Sequence, residues 1–105
     1  MKLTMYGAPI CGDCVAAKEA LQNLSTVELD YRNITESTTI LKEFLKYRDT
    51  EPMFDSIKAD GKIGIPFFLL EDGTKTFDIE SYVDVKIEAA SNPVNACSLD
   101  GKGNC

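Results

Sequence analysis

Hydrophobic and polar positions change their period several times along the chain, and each change marks an element. Leu3 to Tyr6 is a short apolar-rich stretch closed by the breakers Gly7 and Pro9, which predicts a strand. After Cys11 the apolar residues Val15, Ala17, Leu21 and Leu24 fall at the spacing of one helix face. From Val27 to Ile34 apolar and polar residues alternate with period two, the pattern of a half-buried strand. Strand, helix and strand in that order predict a βαβ unit, with the two strands parallel and the helix covering one face.

A second helical stripe follows at Ile40, Leu41, Phe44 and Leu45, predicting a helix that starts between Thr35 and Thr39 and runs to about Tyr47. Glu51 to Lys58 predicts a short helical turn with Pro52 near its start, ending at Asp60-Gly61. The run Ile65 to Leu70, the turn Glu71 to Thr74 and the segment Lys75 to Phe77 predict a β-hairpin. Ile79, Tyr82, Val83 and Ile87 then predict a last amphipathic helix capped by Asp78. Residues 91–105 are rich in turn formers and poor in apolar residues, so they are expected to form a flexible tail beyond a domain spanning 1–90. The expected fold class is α/β, in the order βαβ-α-ββα, with a central four-stranded mixed sheet flanked by helices.

Composition narrows what such a domain can do. The chain has 105 residues, enough for one core, and 44% of them are hydrophobic against 27% charged, the balance of a globular protein. Seventeen Asp and Glu against eleven Lys and Arg give a net charge of −6, which disfavours nucleic-acid partners. No apolar run reaches 18 residues and the first residues lack a signal-peptide pattern, so no membrane partner and a cytoplasmic location are expected. The chain has no His, which removes the commonest general base and the favoured zinc ligand.

The remaining chemistry lies with four cysteines, two of them spaced as Cys11-Gly12-Asp13-Cys14. In a reducing compartment such a pair is redox-active or metal-binding rather than structural. A cysteine at a helix N-terminus meets free backbone N–H groups and the positive end of the helix dipole, which favour thiolate and lower its pKa below about 8.5. Cys11 has that position. Cys14, one turn on and more enclosed, is placed to resolve a mixed disulfide. A zinc site would need two further ligands, and only Cys97 and Cys105 in the expected tail remain to supply them.

A strand running into Cys-x-x-Cys, a helix opening at the motif and a later Ile-Pro before a β-hairpin resemble the thioredoxin fold in its glutaredoxin-like form. The likeness spans roughly residues 1–90 and rests on Tyr6, Cys11, Cys14 and Pro66 within Gly64-Ile65-Pro66. It implies a thiol-disulfide oxidoreductase with catalytic Cys11 and Cys14 and no bound cofactor. Tyr6, Ile65 and Pro66 would shape the substrate site, with the Ile65-Pro66 bond cis and the Ile65 backbone free to pair with a substrate peptide. Expected partners are a disulfide-containing protein or a glutathione-mixed disulfide, with glutathione or a flavin-dependent reductase as electron donor; a monomer is expected.

The chain departs from the family pattern at three places. Glutaredoxins often carry Cys-Pro-Tyr-Cys and a Lys three residues before the first cysteine, whereas this chain has Gly12-Asp13 and Ala8. Asp13 puts a carboxylate in the first helical turn, where a charge is worth about 0.3–1 kcal/mol, so Cys11 is expected to be a milder nucleophile. The Gly-Gly pair that helps admit glutathione is replaced by Thr76-Phe77-Asp78, with Asp78 placed to oppose an incoming carboxylate. Two other readings stand beside the leading one: a metal or iron–sulfur module using Cys11 and other thiolates, and a redox-inactive thioredoxin-fold interaction protein.

Overall fold

A computed structural model of the protein describes residues 1–85 and 87. Four strands, β1 (Lys2–Gly7), β2 (Glu28–Asn33), β3 (Phe67–Leu70) and β4 (Lys75–Thr76), form one sheet in the order β2-β1-β3-β4. β1 runs parallel to β2, with Lys2 opposite Glu28 and Gly7 opposite Asn33. β3 is antiparallel to β1, with Tyr6 opposite Phe67, and β4 is antiparallel to β3. The mixed sheet expected from the sequence is therefore present, and β1 is one of its two central strands.

Helix α1 (Gly12–Gln22) connects β1 to β2 and buries Cys14, Ala17 and Leu21, residues three and four apart on one face. Val15, expected in that stripe, is instead 39% exposed because it lies a quarter-turn beyond Cys14. Helix α2 (Thr38–Thr50) starts at Ser37, whose hydroxyl accepts from the Ile40 N–H at 3.2 Å, and extends three residues past the expected end at Tyr47. Phe44 is its fully buried residue. A 3-10 turn at Pro52–Phe54 leads into α3 (Asp55–Ala59), as the Pro52 and Asp60-Gly61 signals predict.

Successive β1 side chains point to opposite faces, and the two helices divide accordingly. Tyr6 meets α2, its ring centroid 6.1 Å from Phe44 and 6.0 Å from Tyr47. Gly7 faces α1 so closely that an added Cβ would lie 3.1 Å from the Cys14 Cβ and Sγ. The α2 face is an aromatic core in which Phe67 contacts Tyr6, Phe44 and Phe54, and Phe54 in turn contacts Phe77 at 4.9 Å. Phe54 is core, and Met53 and Ile57 are half-buried against it.

The expected last helix is corrected by the structure. Among the described residues, Ile79–Ser81 is a single 3-10 turn, and Tyr82, assigned to a buried stripe, is 52% exposed. Asp78 does not cap it: its carboxylate accepts the Ser81 hydroxyl at 2.6 Å rather than a backbone N–H. Ile79 and Val83 are buried four residues apart, which is why the sequence imitates a helix here. Val85 N–H bonds to Val83 O, a contact that belongs to no α-helix. The expected flexible tail at 91–105, with Cys97 and Cys105, lies outside the described residues.

Candidate active site

β1 ends at Gly7, and a turn closed by Cys11 N–H donating to Ala8 O at 3.1 Å carries the chain to α1. Cys11 is the N-cap of α1, in extended backbone (φ −99°, ψ 114°), and its sulfur accepts the Cys14 N–H at 3.2 Å. Serine or aspartate oxygen usually does this work; here a thiol sulfur satisfies one of the helix's orphan donors. Both cysteines are free thiols. Both are also fully buried, so enclosure does not distinguish Cys14 from Cys11 as the sequence suggested.

Electrostatics separates them instead. The Cys11 pKa is lowered, chiefly by the hydrogen bond from the Cys14 side chain and also by the backbone N–H groups of Cys14 and Asp13; burial and the Asp13 carboxylate oppose this. The Cys14 pKa is raised by the same side-chain hydrogen bond, by burial and by the negative charge on Cys11. The shared hydrogen bond thus makes Cys11 the more acidic of the two thiols. Asp13→Asn should lower the Cys11 pKa further, since it removes an opposing charge and keeps the backbone N–H. Ultraviolet thiolate absorbance followed through a pH titration checks this, and an unchanged or higher midpoint would contradict it.

The Ile65-Pro66 peptide bond is cis. Ile65 is buried, Pro66 half-buried, and both stand at the start of β3, whose first residue pairs with Tyr6 near the cysteine end of β1. Two features the sequence reading missed hold this loop. Arg48 on α2 donates from Nε to Ile63 O at 3.0 Å and from Nη2 to Lys62 O at 2.9 Å. Gly64, at φ +98°, lies against Phe54 and Ile57. No spacing in the sequence marks Arg48, whereas Gly64 carried a signal in its place before Ile65-Pro66.

Tyr6 stands apart from the cysteines. It is buried on the α2 face, its hydroxyl donating to Glu43 Oε1 at 3.1 Å, and Arg32 holds the same carboxylate through two bonds of 2.8 Å. Burial, followed by the hydrogen bond to Glu43, pushes the Tyr6 pKa up to about 12. The structure thus brings Cys11 and Cys14 together, sets Pro66 beside a groove that begins at Asp13, and leaves Tyr6 in the aromatic core on the other face of the sheet.

That groove, of about 270 Å³, is lined by Asp13, Ala17, Pro66, Phe68, Phe77, Asp78, Ile79, Glu80 and Ile87. Phe77 is therefore both a wall of the groove and a half-buried partner of Phe54. Among the described residues, no group of three or more Cys, Asp or Glu is arranged to hold a metal ion. Nor is any described helix long and apolar enough to cross a membrane.

A parallel β1–β2 pair joined through α1, an antiparallel β3–β4 pair and a dithiol capping α1 define a thioredoxin-fold protein. Within that class the chain belongs to the glutaredoxin-like proteins: the Glutaredoxin family model matches residues 3–53. An uncharacterised protein of Haemophilus influenzae (strain ATCC 51907 / DSM 11121 / KW20 / Rd) is 35% identical over 78 residues, which cover 74% of this chain and 90% of that one. No solved structure matches the chain at a significant level. The family match includes both cysteines and ends before Ile65 and Pro66.

Proposed function

We propose that the protein is a thiol-disulfide oxidoreductase that reduces protein disulfides or glutathione-mixed disulfides, with Cys11 as nucleophile and Cys14 as resolving thiol. The observation that carries this reading is the hydrogen-bonded pair at the start of α1, in which Cys11 caps the helix, accepts the Cys14 N–H and is the more acidic of the two thiols. The Cys11 thiolate attacks one sulfur of the substrate disulfide; that S–S bond breaks and the other sulfur leaves as a thiolate, which takes a proton from solvent. Cys14 then loses its proton and attacks Cys11 in the mixed disulfide, releasing the second substrate thiolate. The substrate gains two electrons, and the protein is left with a Cys11–Cys14 disulfide. Because Cys11 is fully buried, the encounter must expose its sulfur.

Ile65 and Pro66 would flank the substrate, and Tyr6 would support β1 from behind rather than touch it. The protein would act as a monomer in the cytoplasm, returning to the dithiol with electrons from glutathione or a flavin-dependent reductase. The acidic groove beside Pro66 favours the reductase, because glutathione carries net negative charge.

The test uses the reduced protein with bis(2-hydroxyethyl) disulfide. The expected product is two mass units lighter and carries one Cys11–Cys14 bridge on peptide mapping, and recycling is compared with glutathione and with dithiothreitol. Turnover with dithiothreitol alone supports a dithiol reductase as donor. Failure to form the Cys11–Cys14 bridge, with iron or zinc copurifying, would favour the metal-module reading instead.

A further inference from the structure

The groove beside Pro66 has a charge that a disulfide substrate must meet. Asp13 lines it from the first turn of α1, Asp78 from just before the 3-10 turn after β4 and Glu80 from within that turn, over apolar walls that include Pro66 and Phe68. No Lys or Arg lines it among the described residues. The ion pairs there tie Arg32 to Asp30 and Glu43, Lys58 to Asp55 and Lys75 to Glu51, and none involves the three groove acids. Lys18, on α1, lies over the Tyr31 ring, and Arg48 is bound to the carbonyls before Gly64. Asp13 stands between Cys11 and Cys14 in the first turn of α1, so the groove begins at the dithiol motif, and the cis Pro66 forms part of its wall.

Asp78 and Glu80 are exposed, so each acts through a field that salt screens, but charges of one sign gathered along a cleft still steer a cation towards it. We propose that this groove selects disulfides flanked by Lys or Arg, so that the substrate is a basic segment of a disulfide-bonded protein and anionic disulfides are disfavoured. The inference rests on the dithiol reading above and assigns Asp78 and Glu80 as its specificity determinants. The cationic side chain would lie along the groove between them while its neighbouring half-cystine meets Cys11. Charge complementarity of this kind acts mainly on the rate of encounter.

The experiment mixes the fully reduced protein with two cystine-bridged peptides of equal length, one flanked by Lys and one by Glu, then acid-quenches and alkylates to count the thiols remaining. The Lys peptide should oxidise the protein about tenfold faster or more at low salt, with the ratio collapsing towards about twofold at about 0.5 M salt. The Asp78→Asn/Glu80→Gln double variant should bring the low-salt ratio to within about twofold. Glu28→Gln/Glu71→Gln, which removes the same charge from the opposite end of the sheet, should keep it. Equal rates for the two peptides, or the same loss of preference in both double variants, would overturn the proposal. Bis(2-hydroxyethyl) disulfide separates this failure from the other: if the protein reacts with it and ignores peptide charge, only the charge selection falls. A protein inert to all three disulfides would overturn the dithiol reading and this inference together.

Discussion

Cys11→Ser should reduce the rate of disulfide reduction by on the order of 10³-fold or more, the scale expected when an enzyme loses its nucleophile. Cys14→Ala should behave differently: the first exchange proceeds, and the protein accumulates as a mixed disulfide between Cys11 and the substrate. The two variants differ because the shared proton makes the pair asymmetric, with the Cys11 pKa lowered and the Cys14 pKa raised. Cys14→Ala should also raise the Cys11 pKa, since it deletes the side-chain hydrogen bond that most favours the thiolate. The wild-type alkylation rate should rise with pH through a midpoint below the ordinary thiol value, and that of Cys14→Ala through a higher one. Both measurements belong on a background in which Cys97 and Cys105 are serine, so that mass shifts report on the pair alone. Full activity in Cys11→Ser, or a trapped mixed disulfide on Cys14 instead, would reverse the roles.

The largest stability effect is expected at a residue with no chemistry of its own. Gly64→Ala should destabilise the protein by about 2–5 kcal/mol, adding the cost of a side chain at positive φ to that of overpacking a filled core. At φ +98°, the new Cβ would stand 2.7 Å from Phe54 Cε2 and 3.2 Å from Ile57 Cγ2. Phe54 has no room to yield, being fully buried between Phe44, Phe67 and Phe77 with ring centroids 4.9–5.9 Å away. Gly73→Ala isolates the backbone part, since Gly73 has φ +91° but nothing within 4 Å of its Cβ position. It should cost only about 1–2 kcal/mol. Urea unfolding of the two variants decides between strain and packing, and equal midpoints would show that Phe54 moves aside. Because Gly64 directly precedes Ile65-Pro66, the same substitution should disturb the groove as well as the core.

Most of the elements were legible in the sequence because each rests on a local period. Alternation at Val27 to Ile34 gave β2, Pro52 and Gly61 bracketed the short helical turn, and Cys-x-x-Cys at a strand-to-helix junction gave the candidate site and its chemistry. The misreadings have physical causes too. Ile79, Tyr82 and Val83 carry a helical spacing, yet only a 3-10 turn forms at Ile79–Ser81, with Ile79 and Val83 buried in the core and Tyr82 half exposed. Asp78 has the composition of a cap, but its carboxylate accepts the Ser81 hydroxyl and no backbone N–H of the turn.

The sequence by itself determined which residues can do chemistry and where the helix dipole acts on them, because a thiol at the N-terminus of a helix is a local arrangement. It also determined the order of the elements, through periods that each span a few residues. Only the tertiary structure added the burial and the hydrogen bond between the two side chains that lower the Cys11 pKa and raise that of Cys14. It likewise decided that Tyr6 belongs to the aromatic core, that Arg48 and Gly64 secure the loop before Pro66, and that Asp13 faces Asp78 and Glu80 across one groove. Those contacts join residues 7 to 67 apart in the chain, and no local pattern of hydrophobic and polar positions encodes such meetings between separate elements.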